Sequence, residues 1–206
     1  MAEFDLQKRT TVEAYQLVTR IVAPRPIALV STLSATGAGN LAPFSYFMMG
    51  GSNPPSCVIC PVNDRHGERK DTARNIPETG EYVINVVTRA MAERMNQCSF
   101  PYEATVDEFD KSGLTRAPAQ VVKPPRVAES PIHLECRLHK IVRHGDGALA
   151  SSYVIGEIVH VQVADDLLTD GLPDDAKIEF IGRLGADWYT HVTSESLFEL
   201  KRPTGE

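Results

Sequence analysis

Short runs of apolar residues separated by turn residues recur along this 206-residue chain. Several alternate apolar with polar positions, as in the "IHLECRLHKIVRH" stretch, and they are rich in Val and Ile, which favours β-strands over helices. The Gly-containing segments "ATGAGN" and "HGDG" predict tight turns between consecutive strands. The predicted strands are 27–34, 40–55 (broken early by Gly50 and Gly51), 56–62, 81–87, 132–144, 148–164 and 188–200.

Helical patterns are few. Residues 71–80 begin with capping residues and end at a Gly, and residues 88–99 are rich in helix formers. The Pro-rich segment 117–131 predicts a surface loop. Many short strands, few helices and no βαβ rhythm indicate a mainly β fold, a β-barrel with helical insertions.

Composition limits the classes of function. The net charge of −6 argues against a nucleic-acid or anionic-membrane surface. The N-terminal residues contain no apolar signal segment, so we expect a cytoplasmic protein. The chain length is typical of one domain.

Motifs for metal binding or acid–base catalysis are not apparent. In "SCVICPV" the two thiols of a C-x-x-C would point to opposite faces of a strand, and the six His residues have no metal-ligand spacing. We therefore predict no metal site and assign no catalytic side chain.

Two segments are candidate ligand contacts. In "RKDTAR", Lys70 and the N-terminus of a helix beginning near Asp71 or Thr72 would suit a phosphate, although an ordinary capped surface helix explains the same residues. The hydroxyls of Ser31 and Thr32 lie within an apolar strand, where either a ligand or the neighbouring strand must satisfy them. The run "NLAPFSYFMMGGSNPP" is either core ending in a loop or the wall of a pocket for a flat apolar ligand.

Five motifs in order resemble the flavin reductase-like, FMN-binding split-barrel family: "APRPIALVSTLSATGAGNLAPFSYF" with "NPP", "KDTARNIPETGEYVINVV", "SPIHLECRL", "VIGEIVHV" and "IGRLGADWY". The resemblance implies a six-stranded split β-barrel of Greek-key character. It also implies one domain over 1–206 with its core at about 20–200, a homodimer, and one FMN per subunit near the dimer interface.

The resemblance also implies which residues bind the cofactor. Lys70 and Thr72 would engage the FMN phosphate, and the segment 45–47 would meet the isoalloxazine ring. Met48 and Gly51 replace an Asn and a Ser common in the family, and Ser52 or Asn53 could substitute for them. The implied cofactor-binding residues are Ser31, Thr32, Ser45, Tyr46, Phe47, Ser52, Lys70, Asp71, Thr72, Arg183 and Tyr189, with Arg25 and Pro26 in the family's PRP turn.

The implied function is an NAD(P)H-dependent flavin reductase that passes hydride from nicotinamide to flavin N5, and then electrons to oxygen, iron or a partner monooxygenase. Such chemistry needs ring stacking rather than a catalytic triad. The alternatives are an FMN-containing electron carrier, a non-catalytic flavin-binding protein, and an oxidase of a small amine such as pyridoxamine phosphate. The sequence does not distinguish NADH from NADPH.

Overall fold

The structure, a computed structural model, describes residues 1–203, and its centre is a seven-stranded antiparallel sheet. The strands are β1 (Arg25–Pro26), β2 (Ala28–Leu33), β3 (Gly39–Phe44), β4 (Phe47–Ser52), β5 (Pro55–Ile59), β6 (Glu81–Val86), β7 (Arg116–Ala117), β8 (Arg126–Val127), β9 (Ile132–His144), β10 (Ser151–Val163), β11 (Leu168–Thr169), β12 (Leu172–Pro173), β13 (Ile181–Arg183) and β14 (Tyr189–His191). The α-helices are α1 (Thr11–Ile21), α2 (Asp71–Thr79), α3 (Ala92–Gln97) and α4 (Glu108–Ser112). Single 3₁₀ turns occupy Leu6–Lys8, Arg89–Met91, Asp165–Leu167 and Ser194–Ser196.

The strand order makes the large sheet a split barrel. It runs β3-β2-β6-β9-β10-β5-β4, so the two edge strands are consecutive in the chain. Only Ser45 and Tyr46 separate them, which forces the sheet to curl until its edges approach at one end, although β3 and β4 do not pair. The expected mainly β split barrel is confirmed. The sheet has seven strands rather than the expected six.

Apolar side chains pack on both faces of this sheet. One cluster joins the sheet interior to α2 around Ile59, Ile76 and Tyr82, and a second lies between the sheet and the helical segments around Leu29, Met95 and Phe109. Both clusters are built from alternate residues of the same strands, as a sheet covered on two faces requires.

Three local predictions differ from the structure. The segment 40–55 is two strands, because the chain bends at Ser45 and Tyr46 and turns again before β5. The predicted helix 88–99 is a 3₁₀ turn followed by α3, and the final strand 188–200 shortens to β14, with the Ser194–Ser196 turn after it.

Helix α1 was not expected. Its N-terminus has a capping box, in which the Thr10 hydroxyl accepts from the Glu13 N–H and the Glu13 carboxylate accepts from the Thr10 N–H. This T-x-x-E spacing was visible in the sequence and is the signal that would have predicted the helix. No helix in the described part of the chain is long and apolar enough to cross a membrane.

The Pro-rich loop is held against the sheet by hydrogen bonds to one side chain of β9. We call residues 118–125, between β7 and β8, the strap. The fully buried Glu135 carboxylate accepts hydrogen bonds from the N–H groups of Gln120, Val121 and Val122 at 2.7, 2.7 and 3.1 Å. A buried carboxylate holding three N–H groups satisfies both its own charge and the polar backbone of the loop.

Candidate functional site

The predicted phosphate contact lies at the N-terminus of α2. Lys70 is the N-cap residue, its backbone is extended, and no side chain caps the helix. The N–H groups of Asp71 and Thr72 and the positive end of the helix dipole therefore remain available to an anion, whereas the Ala73 N–H bonds the Lys70 carbonyl at 2.9 Å. Gly80 ends the helix in the left-handed conformation with φ of 74°, as the sequence predicted.

The Lys70 side chain extends toward the curl of the barrel. Its ammonium lies 5.8 Å from the centre of the Phe44 ring, at the end of β3. Although the residue as a whole is exposed, the protein surrounding the ammonium lowers the pKa of Lys70 by desolvation, and the carboxylate of Asp64 opposes that shift. The structure thus brings the Lys70 ammonium beside the segment that begins at Ser45.

Thr32 and Thr72 are fully buried and belong to one polar network. The Asn40 amide donates to both hydroxyls, at 3.1 Å to Thr32 and 2.9 Å to Thr72, and the Asn75 amide donates to Thr32 at 3.0 Å. The network ties β2 and β3 to α2. In this structure both threonine side chains lie behind the α2 N-terminus and hold it in place.

Ser31 and Asp71 are likewise engaged with protein partners. The Ser31 hydroxyl is fully buried and donates to the Pro125 carbonyl of the strap. The half-buried Asp71 carboxylate forms an ion pair with Arg74 one turn later in α2. The Ser31 hydroxyl therefore meets the strap rather than an open face.

The segment 45–47 forms the bend between the edge strands. The Tyr46 carbonyl accepts from the Cys60 N–H at 2.8 Å, which fixes the bend to the end of β5. Burial raises the pKa of Tyr46, which nevertheless keeps 37% of its surface exposed. Met48 and Met49, which follow in β4, are 57% and 66% exposed. The β4 half of the run 40–55 is therefore a surface wall, whereas Leu41 and Phe44 of β3 belong to the core.

Ser52 does not join this wall. It ends β4 opposite Pro55, five residues beyond Phe47. At the rise of an extended strand, that separation is about 15 Å.

The two C-terminal candidates, Arg183 and Tyr189, lie in a second, three-stranded sheet of β1, β13 and β14. Arg183 lies opposite Arg25 in one pair and opposite Tyr189 in the other. The Arg183 guanidinium stacks on the Tyr189 ring at 4.5 Å, and that of Arg25 lies 6.0 Å from the Tyr46 ring. Arg25 thus connects this sheet to the bend.

Sequence reasoning missed the amides that organise the site. Asn40 pairs directly with Thr32 in the β2–β3 hairpin, and Asn75 follows Thr72 by three residues on one face of α2. Both positions were readable as polar residues facing a polar strand position. Their convergence depends on how α2 packs against the hairpin.

Two clefts flank α2, with volumes of about 500 Å³ and about 420 Å³. Gly67, Arg69 and Pro77 are among the residues that line the first, and Thr36, Asn75 and Glu108 are among those that line the second. Neither is lined by Lys70 or Tyr46.

The cysteines do not form a metal or redox pair within the C-x-x-C. All four are free and buried, and the Cys57 sulfur faces that of Cys136 at 3.8 Å in the core. Within residues 1–203, no group of three or more His, Cys, Asp or Glu side chains could hold a metal ion.

The residues present fit a flavin mononucleotide. An uncapped helix N-terminus with a lysine suits its phosphate, and an exposed aromatic and methionine wall suits its ring. The Arg25 Nε atom, beside the bend, is buried with no hydrogen-bond partner. An orphaned donor at this position is what a site for a polar ligand edge would contain.

Comparison with known proteins gives the family. The model of the flavin reductase like domain matches residues 20–175. Nitrilotriacetate monooxygenase component B from Bacillus cereus superposes with a TM-score of 0.91 at 30% identity, covering 97% of this chain and 98% of that one. The 2-nitrobenzoate 2-nitroreductase of Pseudomonas fluorescens gives 0.87 at 33%, covering 98% and 97%. Flavoredoxin of Desulfovibrio vulgaris gives 0.74 at 26%, covering 97% of each chain. The chain therefore belongs to the flavin reductase-like family of split barrels and is a flavin oxidoreductase.

Proposed function

We propose that this protein binds FMN and reduces it with NADH or NADPH. The observation that carries the proposal is the position of Lys70 at an uncapped helix N-terminus. Its ammonium lies 5.8 Å from the ring of Phe44, the residue directly before the bend at Ser45 and Tyr46. A phosphate and a planar ring separated by a ribityl chain need this combination of a cationic corner and an apolar wall. Because NADH and NADPH are cytoplasmic metabolites, the proposal also places this one-domain protein in the cytoplasm.

Each group in the proposed site has a distinct task. Lys70 and the first N–H groups of α2 hold the phosphate, and the aromatic residues of the segment 45–47 contact the ring. The Thr32–Asn40–Thr72 network keeps the α2 N-terminus in register with β2 and β3. FMN held by these groups would supply a hydride acceptor at N5, so the task of the protein is to stack two rings rather than to supply an acid or base.

The proteins to which the chain is similar support a proposal for the electron acceptor. One is a monooxygenase component and another is a nitroreductase. We propose that reduced flavin serves a partner monooxygenase or a small electron-poor acceptor.

We also propose a homodimer that covers the open side of the site. The outward face of α1 is apolar at Val12, Tyr15, Val18 and Ile21, each between 39% and 67% exposed. Only Thr19 of this helix is buried. An eleven-residue helix with so little packing is marginal alone, so it needs a partner surface.

The area of this apolar face suits a second copy of the chain. Arg25 bonds to the carbonyls of Thr19 and Val22 at the end of α1 and also contacts Tyr46, so α1 adjoins the bend and β4. The exposed apolar side chains of α1, the bend and β4 together present on the order of 800 Å², which is the contribution of one partner to a standard stable interface.

Lys70 is tested by comparing FMN with riboflavin, which lacks the phosphate. Lys70→Ala should weaken FMN binding by about 10-fold to 100-fold, as expected for loss of one charge-assisted contact, and leave riboflavin binding unchanged. Arg65→Ala is the matched control, since it removes an exposed cation from the same loop. Equal weakening of both ligands would show that Lys70 does not contact the phosphate.

Hydride transfer is tested by adding NADH and then NADPH to the FMN-loaded protein without oxygen. Rapid bleaching of the flavin absorbance by either nucleotide is the expected result. A yellow protein that resists both would favour an electron carrier, the alternative supported by the similarity to flavoredoxin.

The dimer is tested by light scattering. Val18→Asp should give a monomer, because it places a charge in the apolar face, whereas Gln16→Asp on the adjacent polar face should not. A monomeric wild-type protein would remove the shared-surface argument.

A further inference from the structure

Arg25 is a buried guanidinium whose protein partners are all backbone carbonyls. The residue is 8% exposed. Its Nη1 donates to the carbonyls of Thr19, at 2.7 Å, and Val22, and its Nη2 donates to that of Leu184 at 2.8 Å. In the described part of the chain, no carboxylate lies within 4.0 Å of it, the longest N···O distance of an ion pair.

An unpaired buried charge is costly, so its presence needs a reason. The carbonyls at the C-terminus of α1 account for part of it, since the negative end of a helix dipole attracts a cation. These carbonyls do not bond to the Arg25 Nε–H, which is buried without a hydrogen-bond partner. The nearest charged neighbour along the sheet is another cation, Arg183, directly opposite in the β1–β13 pair.

This charge lies under the proposed ring-binding surface. The Arg25 guanidinium is 6.0 Å from the Tyr46 ring, and its hydrogen bonds hold α1 and the end of β13 against the same bend. The other titratable groups near Tyr46 are Tyr15 of α1 and Cys60, which follows β5. Neither is an acid that would neutralise a guanidinium at neutral pH.

We infer, on the basis of the flavin site proposed above, that Arg25 is a positioning residue that fixes the Tyr46 bend and favours the reduced flavin through its unneutralised charge. Oxidised flavin is neutral in its ring, whereas reduced flavin carries a negative charge at its N1–C2 edge near neutral pH. A fixed cation beside the ring binds the second form more tightly than the first.

The first experiment uses the wild-type protein loaded with FMN. The midpoint potential of the bound flavin is measured from about pH 5 to about pH 7. If the reduced flavin stays anionic over this range, two electrons are accompanied by one proton, and the potential falls by about 30 mV per pH unit. A slope of about 60 mV per pH unit, which means two protons, contradicts the inference.

The second experiment compares two variants with wild type. Arg25→Met should lose about tenfold of the preference for reduced over oxidised FMN, which is a potential lower by about 30 mV for two electrons. Arg25→Lys keeps the charge but cannot reach three carbonyls, so its potential should stay near that of wild type while its thermal stability falls. Equal potentials in all three proteins would show that the charge of Arg25 does not favour the reduced flavin, and would contradict the inference.

The two proposals fail in different ways. Wild-type protein that stays colourless after addition of FMN refutes the flavin site itself. Wild-type protein that binds FMN but has the two-proton slope refutes only the role of Arg25. If Arg25→Met does not fold, the wild-type slope and the Arg25→Lys potential still decide the question.

Discussion

Replacing Glu135 by Gln tests whether the strap is held by one buried carboxylate. One carboxylate oxygen accepts from Gln120, and the other accepts from both Val121 and Val122. The amide keeps a single acceptor oxygen. In its best orientation it preserves the two bonds to the second oxygen and turns its own NH₂ toward the Gln120 N–H.

The expected cost follows from that count. Each hydrogen bond to a charged group contributes about 1.5–3 kcal/mol, so loss of one bond together with charge assistance to the other two should destabilise the protein by about 2–4 kcal/mol. Such a loss is a large part of the 5–15 kcal/mol typical of a whole domain. Glu135→Ala would leave the three N–H groups of the strap without their acceptor and is therefore a poorer test, because the protein is less certain to fold.

The assay combines urea unfolding with amide hydrogen exchange. The free energy of unfolding should fall by the stated amount, and the amides of residues 120–122 should lose their protection. Glu81→Gln is the matched control, because the Glu81 carboxylate is partly exposed and accepts a single bond, from the Lys123 N–H at 3.0 Å. The Glu81 variant should change stability by less than about 1 kcal/mol. Unchanged protection of residues 120–122 in Glu135→Gln would refute the reasoning.

Two further predictions concern packing and pH. Gly156→Ala should lower the free energy of unfolding by about 1–3 kcal/mol, because a Cβ there would lie 1.9 Å from the hydroxyl oxygen of the buried Tyr82. Adding Tyr82→Phe should recover part of that free energy, as measured by urea unfolding. Burial lowers the pKa of His133, whose Nε2 donates to the Val127 carbonyl at 2.8 Å. The stability that neutral His133 contributes is therefore complete above the unfolded pKa of about 6.5. It is lost as the pH falls through the lower pKa of the folded state. His133→Asn keeps a donor for Val127 and should flatten the fall in unfolding free energy below about pH 6.5; a curve parallel to that of wild type would contradict this assignment.

Local patterns were sufficient for the long strands of the sheet and for α2. The alternation in 132–144 predicted β9 to the residue, and Asp71 with Gly80 predicted both ends of α2. These signals lie within the element that they specify, so a single sequence carries them. The bend at Ser45 and Tyr46 was missed because its residues continue the apolar run on either side.

The candidate site was only partly readable for the same reason. The position of Lys70 before a helix made it a candidate phosphate contact, and the family resemblance favoured that interpretation and supplied Tyr46. The resemblance assigned Ser31, Thr32 and Thr72 to the cofactor, and in the structure all three hydroxyls have protein partners. A buried hydroxyl in a strand must have a hydrogen-bond partner, but the sequence does not identify that partner.

The sequence by itself determined the period of the long strands, the ends of α2, the main turns and the membership of a family. Only the tertiary structure decided which distant groups meet. Arg25 and Leu184 are 159 residues apart in the chain, yet the Arg25 guanidinium holds the Leu184 carbonyl at 2.8 Å. Periodicity and capping arise from contacts within a few residues, whereas the partners of Arg25 and Glu135 depend on the path by which the whole sheet curls and closes.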